Sequence, residues 1–204
     1  TLVTGVQTCA LPISESLSIG IQASLTGHLV LTTLHTNNAV ETLGRMMDMG
    51  GEPYLIASTV LCILAQRLVR VICPECKEPY EPDMDELLAL GLTPQSARGH
   101  TFYHGRGCKA CRETGFKGRI GVFELLMNSP ALKQLIAQRA PALEMHRLAR
   151  AQGFRTMMED GLQKVLDGTT TAEEVVHAVY TAALIDTEEG SAAEGSDFSE
   201  EEEA

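Results

Sequence analysis

Two pairs of cysteines carry the most specific chemistry in this sequence. They stand in CPEC (Cys73 and Cys76) and CKAC (Cys108 and Cys111), with two residues between the members of each pair. This spacing lets two tight turns bring four thiolates to the corners of a tetrahedron, which is the geometry that Zn²⁺ prefers. We therefore predict a closed structural zinc site, which stabilises the fold and does not catalyse.

The segment between the pairs is longer than in a minimal zinc ribbon, where about 15–20 residues suffice. It must therefore contain structure of its own, and we expect a small helix near Leu87. Two alternatives are two disulfides, which suit an exported chain, and a redox pair, which needs only one such motif. Cys62 lies in an apolar stretch and is interpreted as an inert core residue.

The charge is concentrated at the C-terminal end. Of the 27 acidic residues behind the net charge of −11, nine lie in residues 186–204, where no basic residue occurs. The remaining chain is nearly neutral and offers no general basic field for nucleic acid. We interpret residues 186–204 as a solvated, disordered tail, with an acidic docking segment as the alternative.

The opening stretch VTGVQTCALPIS (Val3–Ser14) does not have the properties of a targeting segment. A secretory signal needs a basic region before its apolar region, yet the first Lys or Arg is Arg45. A membrane helix needs about 20 apolar residues, and Thr, Gln and Pro interrupt this run. Val3–Ile13 instead resembles the in-frame translation of a sequencing-adapter oligonucleotide. We expect residues 1–14 to be adapter-derived and the native protein to begin upstream.

Patterning predicts a mixed α/β chain. GHLVLTTLHT (Gly27–Thr36) is apolar and β-branched, as in a buried strand. Asn37 and Asn38 should cap a helix over residues 39–49. A buried helix is expected from Pro53 to about residue 68, because its centre is apolar nearly all round.

The second half of the sequence is predicted to hold one strand followed by helices. GRIGVFELLMN (Gly118–Asn128) has strand character. Helices are then expected over residues 130–138, 141–152 and 155–166, and another should begin at Thr171. Thr171 and Glu174 have the spacing of a capping box.

Two histidines flank the predicted first strand. His28 and His35 are seven residues apart, so on an ideal strand their side chains point to opposite faces. Polar residues at a strand end in an α/β sheet point toward the ligand-binding edge, which favours His35 as a site residue. The other histidines are interpreted as loop or surface residues.

Four stretches together resemble one family, the secretion and pilus ATPases, and in particular the type II secretion and type IV pilus assembly motors. They are IQASLTGHLVLTTLHTNNAVETLGRMMDMG, AQRLVRVICPEC, GCKACRETGFKGRIGVFELL and MMEDGLQKVLDGTTTAEEVV. The resemblance covers about Glu15–Ala183. The cysteine pairs favour the assembly or secretion branch, because the retraction-motor branch lacks them.

The resemblance implies a hexameric, RecA-like, cytoplasmic ATPase that docks on an inner-membrane platform protein and uses ATP and Mg²⁺. The segment from Gly27 to Asn37 matches the family's histidine box, which implies that His35, and less strongly His28, lies near the terminal phosphate. Arg67 and Arg70 match the family's QRLVR segment. They are candidates for nucleotide contact, although we assign them a packing or interface role first.

The sequence also departs from the family. It contains no G-x-x-x-x-G-K-[ST] phosphate loop, and the acidic Walker B region of the family would end just before Glu15. Phosphoryl transfer needs both elements, so we expect the chain to lack ATPase activity by itself.

The expected fold is therefore the C-terminal part of a RecA-like P-loop ATPase core with a tetracysteine zinc insert and a C-terminal helical bundle. The predicted divisions are 1–14 adapter-derived, 15–72 ATPase core, 73–117 zinc insert, 118–128 returning strand, 129–185 helical bundle and 186–204 acidic tail. The alternative function is a zinc-dependent nucleic-acid-binding or interaction module without enzymatic activity. The near-neutral body argues against nucleic acid as a partner.

Overall fold

The computed structural model describes residues 13–180. The predicted acidic tail lies outside the described residues, as does the adapter-like segment up to residue 12. The described chain divides into two compact units, one made of residues 13–66 and 123–157, the other of residues 67–122 and 158–180.

The described residues contain both helices and strands, which confirms the mixed α/β chain predicted from patterning. The helices are α1 (Ile13–Leu25), α2 (Ala39–Asp48), α3 (Pro53–Thr59), α4 (Met84–Ala89), α5 (Pro130–Ala137), α6 (Ala142–Ala151), α7 (Met157–Leu166) and α8, residues 172–180. The strands are β1 (Cys62–Ile72), β2 (Lys77–Tyr80), β3 (Phe102–Gly105) and β4 (Phe116–Met127). Within residues 13–180, β1 pairs with β4, and β2 pairs with β3. No helix in this range has the length and apolarity needed to cross a membrane.

The first unit is built around a helical core. Its most deeply buried large side chains include Leu43 of α2, Ile56 of α3, Ile136 of α5 and Met145 of α6. The predicted cap of α2 is confirmed, because the Asn38 side chain accepts a hydrogen bond of 2.8 Å from the backbone N–H of Glu41. The buried apolar face of α2, which includes Leu43, fixes where this helix lies, since burial of each large apolar side chain contributes about 1.5–3 kcal/mol.

Two predicted elements of this unit are wrong. Residues 28–36 form no strand or helix, and Leu29 and Leu31 are 76% and 71% exposed. A strand needs a neighbour to satisfy its backbone, and no described strand pairs with this segment. The helix starting at Pro53 ends at Thr59, and β1 takes up the rest of the apolar run. The core position predicted for Cys62 is also wrong, because Cys62 is the exposed first residue of β1. A continuous apolar run does not distinguish a buried helix from a strand.

The second unit contains the antiparallel pair β2–β3, in which Lys77 is paired with Gly105 and Tyr80 with Phe102. The small helix expected near Leu87 is confirmed as α4, and Asp83 and Glu86 form its capping box. Val165 of α7 and Val175 of α8 belong to the buried residues of this unit.

The strand predicted over residues 118–128 and the helices predicted after it are confirmed. They correspond to β4, α5, α6 and α7, and α8 begins directly after Thr171. The Thr171 hydroxyl accepts a hydrogen bond from the backbone N–H of Glu174 at 3.3 Å, as a cap requires. The starts of α5, α6 and α8 were predictable because a Ser, Pro or Thr precedes each periodic apolar pattern.

A buried carboxylate in β4 anchors the start of two helices. Glu124 is 5% exposed, and its Oε1 accepts a hydrogen bond of 2.5 Å from the backbone N–H of Ala39, the first residue of α2. Its Oε2 accepts one of 3.0 Å from the backbone N–H of Met157, the first residue of α7. First-turn N–H groups have no partner within their helix, and the helix dipole favours a negative charge there.

Replacing this carboxylate tests its role. Glu124→Gln keeps the size of the side chain but turns one acceptor into an NH₂ group, which faces a backbone N–H that it cannot satisfy. We expect a loss of about 1–3 kcal/mol in the free energy of unfolding, measured by urea denaturation. The control is Glu144→Gln on an exposed face of α6 in the same unit, expected to change stability by less than about 0.5 kcal/mol. Equal losses in the two variants would contradict the anchoring role.

Candidate metal centre

The first cysteine pair lies where β1 ends and β2 begins. Cys73 directly follows β1, and its backbone N–H donates a hydrogen bond of 2.9 Å to the carbonyl of Gly115. The backbone N–H of Cys76 donates to the carbonyl of Cys73 at 3.3 Å, which closes a tight turn. The carbonyl of Cys76 in turn accepts a 3.0 Å hydrogen bond from the backbone of Arg106, next to the second pair.

The second cysteine pair forms a matching turn between β3 and β4. Cys108 precedes a short 3₁₀ turn over Lys109–Cys111, and its carbonyl accepts hydrogen bonds from the N–H groups of Cys111 (3.1 Å) and Glu113 (2.9 Å). Arg112 adopts a left-handed conformation with φ 55° and ψ 44°, which reverses the chain after the turn.

Two glycines let the backbones of these turns touch. A Cβ on Gly105 would lie 2.0 Å from the carbonyl oxygen of Gly115, and one on Gly115 would lie 2.3 Å from that of Gly105. Gly115 also has φ +75°, a conformation that other residues rarely adopt. The end of β3 and the start of β4 can therefore approach closely enough to place both cysteine pairs around one point.

The four sulfur atoms converge as the spacing predicts. The Sγ atoms of Cys73 and Cys108 are 3.9 Å apart, those of Cys76 and Cys111 are 3.9 Å apart, and those of Cys108 and Cys111 are 3.7 Å apart. All four lie within 4.8 Å of one another. A regular tetrahedron with Zn–S bonds of about 2.3 Å has edges of about 3.8 Å. The residues present therefore fit a four-coordinate zinc ion.

The protein environment shifts the pKa values of two of the thiols in opposite directions. Burial raises the pKa of Cys111, but hydrogen bonds to its sulfur from the backbone N–H groups of Cys108 (3.2 Å) and Gly115 (3.3 Å) outweigh this effect and lower that pKa to about 6. Burial raises the pKa of Cys76 to about 12, although the backbone N–H of Gly107 opposes it. Bound metal would replace the thiol protons, so the N–H donors around Cys111 support a thiolate ligand.

The predicted nucleotide-site residues are not members of this cluster, and they differ in exposure. His28 is exposed, and its Nδ1 lies 3.0 Å from the Thr26 hydroxyl oxygen. His35 is exposed three residues before the Asn38 cap of α2. Arg67 is half-buried in β1. Nucleotide roles for these residues stay predictions.

Arg70 is engaged within the second unit. Its guanidinium donates a hydrogen bond of 2.5 Å to Glu174 Oε1, and its backbone N–H donates one of 2.9 Å to Glu174 Oε2. Its guanidinium carbon lies 4.1 Å from the centre of the Phe116 ring, within cation–π range. The Thr170 hydroxyl donates to the Arg70 carbonyl at 2.7 Å. These contacts pack Arg70 within the second unit, and a nucleotide role for Arg70 stays a prediction.

Sequence reasoning missed the partners in this arrangement. Glu174 was assigned to the capping box of α8, but its carboxylate binds Arg70 instead, 104 residues away in sequence. Partial burial raises the pKa of Glu174, and the hydrogen bonds from Arg70 outweigh this and lower it. Glu124 was also missed, although a single acid inside the apolar stretch GVFELL was a signal that it needs buried donors.

The fold and site define a mixed α/β protein with a buried tetracysteine cluster. Residues 14–177 match the family described as Type II/IV secretion system protein, and the chain belongs to this family. It is 48% identical over 162 residues to the Type II secretion system protein E of Pseudomonas aeruginosa. It is 43% identical over 163 residues to the Type IV pilus assembly ATPase PilB of Thermus thermophilus. Over 164 residues it is 46% identical to the Type II secretion system ATPase E of Vibrio cholerae.

These matches cover most of this chain but only a small part of each relative. They include 79–80% of this chain but 32% of the Pseudomonas aeruginosa protein, 32% of the Vibrio cholerae protein and 18% of the Thermus thermophilus protein. The chain therefore spans a third or less of these relatives. The family resemblance inferred from the sequence is confirmed, and the activity of a whole protein is a separate question.

Metal analysis tests the centre directly. We expect the reduced chain to bind about one zinc per molecule through its four thiolates. Cys111→Ser should lower zinc affinity by more than about 100-fold. Removing a residue that only hydrogen-bonds to a metal ligand lowers metal affinity by at most about 100-fold, and Cys111 is itself a predicted ligand. Cys62→Ser is the matched control, because Cys62 is exposed and outside the cluster, and it should keep wild-type affinity. Metal-free material after reconstitution, or equal losses in the two variants, would contradict the assignment.

The pKa values predict how the metal-free, reduced chain responds to pH. Because the pKa of Cys111 falls from 9.0 to about 6 on folding, its stabilising contribution is fully present above pH 9.0 and is lost as the pH falls to about 6. Because the pKa of Cys76 rises from 9.0 to about 12, its thiol makes the fold less stable as the pH increases through that range.

Urea midpoints measured against pH after chelation should therefore pass through a maximum near pH 9.0. Cys111→Ser should flatten the rise on the acidic side, whereas Cys62→Ser should retain it. If both variants show the same acidic limb, some other group produces the rise.

Proposed function

We propose that the chain is the C-terminal portion of a hexameric, cytoplasmic ATPase that powers type IV pilus assembly or type II protein secretion through ATP-driven domain motion. The observation that carries this proposal is the match of residues 14–177 to the family, together with relatives named as ATPases of these two machines. In this proposal the first unit belongs to a RecA-like core, and residues 129–185 belong to a helical bundle.

The metal has a structural role in this proposal. Cys73, Cys76, Cys108 and Cys111 would hold zinc, which when bound supplies a cross-link between two turns and no reactive position, since all four ligands come from the protein. The protein then keeps β2, β3 and the start of β4 together as one insert. Such an insert can present a fixed surface while the rest of the motor moves.

Nucleotide chemistry belongs to the whole protein. ATP with Mg²⁺ would bind at a phosphate loop outside these 204 residues, because the sequence contains no such motif. His35, and less strongly His28, would lie near the terminal phosphate, where an imidazole can change its hydrogen bond when the phosphate leaves. Arg67 remains a candidate for contact with nucleotide or with a neighbouring subunit. The partner of the assembled hexamer would be the inner-membrane platform protein of the machine, which places the motor at the cytoplasmic side of that membrane.

A chimera tests the proposal. Residues 14–177 replace the matching segment of the Pseudomonas aeruginosa relative, and ATP hydrolysis is measured on the purified protein. We expect hydrolysis within about tenfold of the parent, a loss of more than about tenfold for His35→Ala, and a smaller loss for His28→Ala. Asn38 remains in place as the cap of α2, so these exposed changes should not unfold the chimera. A folded hexameric chimera without hydrolysis would contradict the proposal.

The isolated chain gives the complementary prediction. It should bind zinc but show no ATP turnover above a buffer control, because it lacks the phosphate cradle and the Mg²⁺-holding carboxylate. Steady-state phosphate release over hours is a suitable measurement. Turnover at the rate of an intact motor would overturn the assignment of the chain as a portion of one.

A further inference from the structure

A cavity lies between α4 and α8 in the second unit. Its volume is about 490 Å³, within the range of about 300–1,000 Å³ that binding pockets occupy. Its apolar lining includes Ala89 of α4 and Val176 and Tyr180 of α8. Tyr180 is 53% exposed, so its ring forms a wall that a ligand can reach from solvent.

The rim of this cavity is acidic. Asp83, Asp85 and Glu86 line it from the side of α4, and Glu173 lines it from α8. His177 also lines it, and none of the described lining residues is Lys or Arg. The rim therefore concentrates negative charge around an apolar interior.

Two of these acids are committed locally and two are available. Asp83 and Glu86 accept hydrogen bonds from each other's backbone N–H in the capping box, at 2.8 and 3.1 Å. Asp85 and Glu173 form no hydrogen bond or close ion pair with a described residue; Glu173 acts on Arg70 only through longer-range Coulombic attraction. Two exposed carboxylates at the rim can therefore receive a cation at little cost.

Apolar surface continues outside the cavity on α4. Met84 and Leu88 are 53% and 60% exposed and lie four residues apart on one face of the helix. An acidic rim beside exposed apolar side chains is complementary to a segment that carries both cations and apolar groups. Lys and Arg combine the two, since their aliphatic stems pack on apolar walls while their charged ends remain at the rim.

The charge of the chain excludes its own C-terminal end as the occupant. Residues 186–204 contain nine acidic and no basic residues, so they would be repelled from the rim. We propose that the cavity between α4 and α8 is a docking site for a basic amphipathic segment of a partner protein, which inserts a Lys or Arg stem beside Tyr180 and pairs its cation with Asp85 and Glu173. This site is independent of the proposed motor function.

The probe is a fluorescein-labelled, ~14-residue peptide with Leu on one helical face and Lys on the other. Fluorescence anisotropy with the full chain should show saturable binding. Asp85→Asn combined with Glu173→Gln should weaken it by about tenfold, because it removes the two available rim charges. Tyr180→Ala should weaken it by about fivefold through loss of the wall. These residues are exposed, so the variants should fold.

Matched controls separate the site from general charge attraction. Asp48→Asn with Glu52→Gln changes the charge by the same amount on exposed residues of the first unit, and Tyr54→Ala removes an exposed tyrosine there. Both should leave affinity within about twofold of the wild type. Amide chemical shifts in the presence of the peptide should change at residues 83–89 and 172–180.

Three results would overturn the proposal. One is an equal loss in the rim and control variants, which would assign binding to net charge. Another is the absence of saturable binding up to millimolar peptide. The third is self-association of the chain that disappears in the rim variant, which would assign the cavity to a second copy instead of a partner.

Discussion

The convergence of four sulfur atoms is the constraint on which the second unit depends. Cys73 follows β1, Cys76 precedes β2, and Cys108 and Cys111 lie between β3 and β4, so one cluster fixes the ends of four strands. Three of the four cysteines are buried, and bringing four thiolates this close without a cation would be unfavourable. A bound metal ion changes this balance, because metal-binding free energy becomes folding free energy in small sites of this kind. The close contact of Gly105 with Gly115 lets the backbone bring the two cysteine pairs together.

Long-range polar contacts organise the rest of the described chain. The Glu124 carboxylate holds the first residues of α2 and α7, which lie 85 and 33 residues away in sequence. Arg70 and Glu174 join β1 to α8 in the second unit, with Phe116 under the guanidinium. Each contact satisfies groups that would be costly to leave unpaired in a partly buried place. These residues therefore act as structural connectors.

The chain relates to its family through a part of the whole protein. It matches 18–32% of the relatives' lengths, and that part contains the tetracysteine cluster but no phosphate loop. Zinc held by these four cysteines would have no open position for chemistry. The acidic, partly apolar cavity lies on the same unit as the cluster.

The sequence by itself determined the features with local signals. The cysteine spacing predicted the cluster, and caps such as Asn38, Ser129 and Thr171 predicted helix starts that the structure confirms. It did not determine the features that depend on neighbours far along the chain. The stretch from His28 to Thr36 had the composition of a buried strand but is exposed, because composition does not supply the pairing strand that burial requires. The apolar run after Pro53 was predicted as one helix, but it forms a strand from Cys62 onward. The Glu174 side chain was predicted to cap α8, but it binds Arg70. In each case the tertiary structure determined which backbone group or charged side chain lay next to the segment. The conformation with the lower free energy was the one that paired with this neighbour.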